Sequence, residues 1–124
     1  MFPALKITLC GLIFGSSVAW ADCSPPEVPT IPDGSEASMQ EMLQGKTDIS
    51  KYQQANEEYR NCLNEKMEDF NARSAASENK DEIATIKAEH GKMVTAYEKA
   101  VGNEEAVADK FNQAIRAYKK ANPG

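Results

Sequence analysis

The chain is poor in the groups that carry out chemistry. Its 124 residues include one histidine, His90. No serine stands in a nucleophile elbow, no glycine-rich loop is spaced to cradle a phosphate, and no His/Cys cluster has metal-ligand spacing. Carboxylates are plentiful, with 19 Asp and Glu against 14 Lys and Arg. They alternate with the bases along the sequence, the pattern of a solvated surface and not of a nucleic-acid footprint. A catalytic carboxylate pair needs a concave site to raise one pKa, and nothing in the pattern supplies one. The chain is therefore read as no enzyme, with no cofactor and no metal site. His90 with Met93, three residues on, could contribute to a soft copper site, but two ligands do not make one.

Long apolar runs are scarce too. The longest is Ile7 to Trp20, which follows a short segment carrying Lys6 and ends in Ala19-Trp20-Ala21. Fourteen residues fall short of the roughly 20 needed to span a bilayer. The run reads as a secretory signal peptide, residues 1–21, cut after Ala21. A lipid-anchored product would need a small residue before Cys23, and Asp22 is not one. The expected product is soluble, without stable membrane insertion, and periplasmic or secreted. Cleavage removes Lys6 and no acid, so what remains is one unit more acidic than the whole chain's −5.

Of three cysteines, Cys10 leaves with the signal. Cys23 and Cys62 remain, an even number in an oxidising compartment, and they read as a disulfide.

Proline is also missing, from Asp33 to Asn122, and its absence permits long helices. Residues 22–37 form a proline-rich extended segment, with prolines at 26, 29 and 32 in the three-residue period of polyproline II and an Asp33-Gly34 turn at its end. Residues 38–122 form a helical hairpin domain. Ser38 and Glu41 make a capping box. Beyond them Met42, Ile49, Leu63 and Phe70 follow a heptad seam, and Tyr52 and Tyr59 lie on a companion seam. Asn56 interrupts the first seam and is a candidate for fixing helix register. The first helix is expected from Ser38 to about Arg73, and a turn within Ala72–Lys80. Asn79 and Glu82 resemble a second capping box. The second helix carries Ile83, His90, Tyr97, Phe111 and Tyr118 on one seam. Ile86, Met93, Ala100, Val107 and Ala114 lie on the other. Gly102-Asn103 is a weak point through which the helix either continues or breaks in two, with a bend or short break the favoured reading.

The fold class is thus all-α, a long antiparallel hairpin of coiled-coil type. Two helices alone bury little, so a staple or a partner is expected. From Cys23 to Pro32 a polyproline II strand advances about 28 Å, matching about 19 helical residues. It can fold back antiparallel along the first helix and bring Cys23 to Cys62, or hang as a loose tether from the disulfide.

The stretch Phe111 to Lys119 holds the densest mix of aromatic and basic side chains. Phe111, Asn112, Arg116, Tyr118 and Lys119 are a candidate interaction face for a protein partner or for self-association. In the alternative structural reading, Phe111, Ile115 and Tyr118 complete the seam while the cations favour the helix terminus.

Cys23-x-Pro-Pro-x-x-Pro-x-x-Pro-Asp-Gly34, taken with Met39, Met42, Tyr59-x-x-Cys62 and Phe111-Asn112-x-x-x-Arg116-x-Tyr118-Lys119, resembles a family of small, exported, uncharacterised helical proteins of Gram-negative bacteria. The likeness covers nearly all of the chain beyond the signal. It implies a periplasmic or secreted bacterial setting and carries no activity with it. Many members have Asn after the histidine of the second helix, where this chain has Gly91. Three functions follow as expectations: a non-catalytic interaction or structural protein of the envelope, a holdase-like periplasmic chaperone, or a metal or small-molecule binder using His90 and methionines.

Overall fold

A computed structural model of the chain describes residues 23–124, so the segment read as a signal peptide lies outside the described residues. Helix α1 spans Met39–Ala76 and helix α2 spans Lys80–Ala121. Asn56 meets Ala100 and Gly45 lies near Phe111, so the helices run antiparallel as a hairpin. At 1.5 Å per residue they are about 57 and 63 Å long. No strand occurs among the described residues.

Local chemistry sets the helix ends. The Ser38 hydroxyl accepts from the Glu41 amide at 3.1 Å, and the Glu41 carboxylate accepts from the Ser38 amide at 3.2 Å. Each bond satisfies a donor that the first helical turn leaves orphaned. Helix α1 runs three residues past Arg73 to Ala76, and the turn contracts to Ser77–Asn79. Ala75 and Ala76 are strong helix formers and carry the last turn.

Asn79 caps α2 by accepting from the amides of Asp81 and Glu82 at 2.9 and 3.2 Å. A reciprocal box does not form there. The Asn79 amide donates to the Ser77 hydroxyl, which donates to the Glu82 carboxylate at 3.0 Å. Ser77 thus stands between the two ends of the expected box, because the short turn holds it within reach of both.

Of the two readings of Gly102-Asn103 the continuous helix holds and the favoured break is absent, since α2 passes through both residues without interruption. Gly102 lies on the exposed side with nothing within 4 Å of where a Cβ would stand. Its weakness as a helix former is about 1 kcal/mol. Ala100 and Val107, 4% and 3% exposed, anchor the helix on either side.

The interhelical seam buries Met42, Ile49, Tyr52 and Leu63 from α1 against Ile86, Ala100, Val107 and Ala114 from α2. The other expected α2 seam, Ile83, His90, Tyr97, Phe111 and Tyr118, is only half-buried. Its residues flank the contact line instead of lying on it.

Residues 23–33 belong to neither helix nor strand. The Cys23–Cys62 disulfide joins one end of this strap to α1, with the two Cα atoms 5.8 Å apart. Ile31 packs on the cluster of Ile49, Tyr52 and Val107. The Pro32 ring faces Gly45 so closely that a Cβ at Gly45 would sit 3.0 Å from it. At the far end, the Asp33 carbonyl accepts from the amides of Glu36 and Ala37, closing a turn. Within that turn Gly34 is buried against the backbone of Ala114 and Tyr118, and no side chain fits there.

Candidate interaction site

Phe111, Tyr118 and Lys119 come together at the open end of the hairpin, where the start of α1 meets the end of α2. With Ile115 they form one wall of a groove of about 460 Å³. Met39, Met42, Leu43 and Lys46 form the other wall, and Asn122 and Gly124 close its end. The spacing places these side chains. Met39, Leu43 and Lys46 lie at i, i+4 and i+7 on α1, and Phe111, Ile115 and Tyr118 at i, i+4 and i+7 on α2, so each set is one helical stripe.

The groove is apolar on its walls and cationic at its rim. Met39 and Leu43 are 55% and 56% exposed. Phe111 is half-buried and packs on the central cluster. Asn112 and Arg116, named with Phe111 from the sequence, are exposed and do not line the groove. They follow Phe111 and Ile115 by one residue each, about 100° further round the helix. Sequence reasoning missed Leu43 and Lys46. Their signal was present as two residues three apart beside Met39, off the seam, but only the fold shows that this stripe faces Ile115.

A second polar feature lies at mid-length. Asn56, 1% exposed, donates from Nδ2 to the Ala100 carbonyl at 3.0 Å and to Glu104 Oε2 at 3.1 Å. Arg60 Nη2 reaches the same carboxylate oxygen at 3.1 Å, while its Nε is buried with no hydrogen-bond partner among the described residues. Burial, helped by the negative charge of Glu104, pushes the Tyr52 phenol above its ordinary pKa. The cluster joins two helices through a carboxylate, an amide and a guanidinium, and its geometry suits a register lock.

Two recesses of about 410 and 380 Å³ lie along the strap. The first is walled by Val28 to Ile31 against Asn103, Ala106, Val107 and Lys110. The second is walled by Pro25 and Pro26 against Tyr52, Tyr59 and Ala100, among others. His90 and Met93 are half-buried on α2. Among the described residues no group of three or more His, Cys, Asp or Glu is close enough to hold a metal ion. No helix among them is long and apolar enough to cross a membrane.

No protein-family profile, no curated protein and no solved structure matches the chain. The fold defines the molecule as a disulfide-bonded, all-α helical hairpin.

Proposed function

We propose that the chain is a non-catalytic interaction protein of the bacterial envelope, exported through a signal peptide cut after Ala21 and acting through the open end of its hairpin. One observation supports this above the others: Met39 and Leu43 stand more than half exposed beside Phe111, Ile115 and Tyr118 in a single groove. Isolated exposed apolar residues are ordinary, whereas a contiguous apolar patch with a polar rim marks contact surfaces. A disulfide suits an oxidising compartment. In this reading the proline-rich strap acts as an extended third layer that stiffens the hairpin and leaves the groove free.

The test is site-specific photocrosslinking in the native compartment from positions 43 and 119. A discrete protein adduct that fades with Tyr118→Ala is expected. Adducts that are equally strong from position 87, on exposed α2 far from the groove, would remove the reading.

The exposed Met39 also favours a holdase-like chaperone, because an unbranched thioether adapts to many shapes. Suppression of aggregation of a reduced model protein distinguishes it. No effect at several-fold excess excludes it.

A further inference from the structure

The groove's chemistry narrows the partner, and this step rests on the interaction reading above. On α2 the strap's neighbours Asn103, Ala106 and Lys110 lie on one flank of buried Val107. Phe111, Ile115 and Tyr118 lie on the opposite flank, as 100° per residue requires. The strap therefore covers one side of the interhelical seam and the groove opens on the other, where no described residue covers Met39 and Leu43. Lys46 and Lys119 are exposed at its rim, and neither has an ion-pair or hydrogen-bond partner among the described residues.

Charge separates the candidate occupants. The chain as a whole carries a net −5, which opposes every anionic ligand at long range, so attraction has to come from the groove's own rim. A two-fold pairing of groove on groove sets residue i of one copy on residue j of the other and j on i, and since no Asp or Glu lines the groove, it gives Lys46 and Lys119 no counter-charge. The local field of two unpaired ammonium groups beside an apolar, concave floor favours carboxylates next to apolar side chains. An amphipathic helix with acidic flanks has that pattern and presents the convex surface an interhelical groove accepts.

We infer that the groove binds an acidic amphipathic segment of another protein. Its apolar side chains enter between Leu43 and Ile115, and its carboxylates meet Lys46 and Lys119. The occupant completes, on the open side, the cover that the strap supplies on the other.

The probe is a capped helical peptide of about 15 residues, with Leu and Phe at i, i+3, i+4 and i+7 and Glu between them. A second peptide carries Lys in place of every Glu, and vesicles rich in phosphatidylglycerol serve as a third ligand. Methyl NMR shifts at Met39, Leu43 and Ile115 are followed against concentration. The acidic peptide is expected to give saturable shifts confined to the groove. The K46E/K119E double variant, altered only at exposed positions, should bind it about tenfold more weakly and gain affinity for the Lys peptide.

Equal binding of both peptides by the unaltered protein, stronger binding to the vesicles, or concentration-dependent self-association through the groove each overturns the inference. So does the absence of saturable shifts with the acidic peptide. If that absence is accompanied by persistent protein adducts from position 43, the partner chemistry fails and the interaction reading stands. If the adducts are missing as well, both fail.

Discussion

Asn56 of α1 bonds through one nitrogen to two groups of α2, the Ala100 carbonyl and the Glu104 carboxylate one turn on. A buried amide tied to a main-chain oxygen fixes which residues of the two helices face each other. Sliding either helix by one heptad would keep apolar residues in contact but take this amide away from the Glu104 carboxylate and from the small Ala100 beside it. Asn56→Ala is expected to cost about 1–3 kcal/mol in chemical denaturation. Asn56→Leu is expected to cost less, since an apolar side chain of similar volume replaces a desolvated amide. It should also loosen register, visible as a second set of NMR resonances. A single sharp set in Asn56→Leu would show that the seam alone specifies register.

The disulfide closes a loop with a sequence separation of 39. Loop entropy alone assigns it about 3–4 kcal/mol. Replacing Cys23 and Cys62 together by serine should lower stability by that order and leave the helix content intact, as read by far-UV circular dichroism. The methyl resonances of Ile31, which packs on Ile49, Tyr52 and Val107, should move towards their solvent-exposed values. An unchanged midpoint would mean that the strap is held by packing alone.

Two glycines should respond to the same substitution in opposite directions. A Cβ at Gly102 meets nothing, so Gly102→Ala should stabilise α2 by about 0.5–1 kcal/mol. A Cβ at Gly34 would collide with the Ala114 carbonyl, so Gly34→Ala should destabilise and dislodge the turn. Thermal melts of the two variants beside the parent decide the sign. Equal shifts would show that the turn does not dock on α2 in solution.

Tyr52 offers a pH test. Its phenol is favoured in the neutral form, first by burial and then by Glu104, so its folded pKa lies above the unfolded value of about 10. The folded chain then holds a proton that the unfolded chain has lost. The stability this confers is complete below pH 10 and is lost as pH rises through the folded pKa. Selective carbon NMR of the tyrosine rings should show the Tyr52 phenol titrating above the ordinary value of about 10. Glu104→Gln, which removes the second cause, should bring it down. No movement in that variant would assign the whole shift to burial.

Most of the architecture follows from local chemistry along the chain. The Ser38–Glu41 box starts α1, and Asn122 with Pro123 ends α2. The heptad spacing of Met42, Ile49 and Leu63 selects the buried stripe, and the two cysteines left outside the segment read as a signal predict their bond. These are near-neighbour or pairwise effects, so order and spacing suffice to read them. Residues 1–21 read as a cleaved signal on the same grounds, and they lie outside the described residues.

Three features depended on what packs against what. Gly102 looked like a break because its helix propensity is poor, and α2 stays whole because Ala100 and Val107 are buried on α1. Glu82 was expected to close a box with Asn79, and Ser77 took its carboxylate once the turn had contracted. Leu43 and Lys46 lay off the seam, in a stripe with Met39 that pointed to no surface opposite it. They became the wall of a groove only when the antiparallel hairpin set them opposite Ile115 and Lys119, more than seventy positions away. Helix caps and seams are written in neighbouring residues, whereas a groove is a relation between surfaces that the chain brings together only on folding.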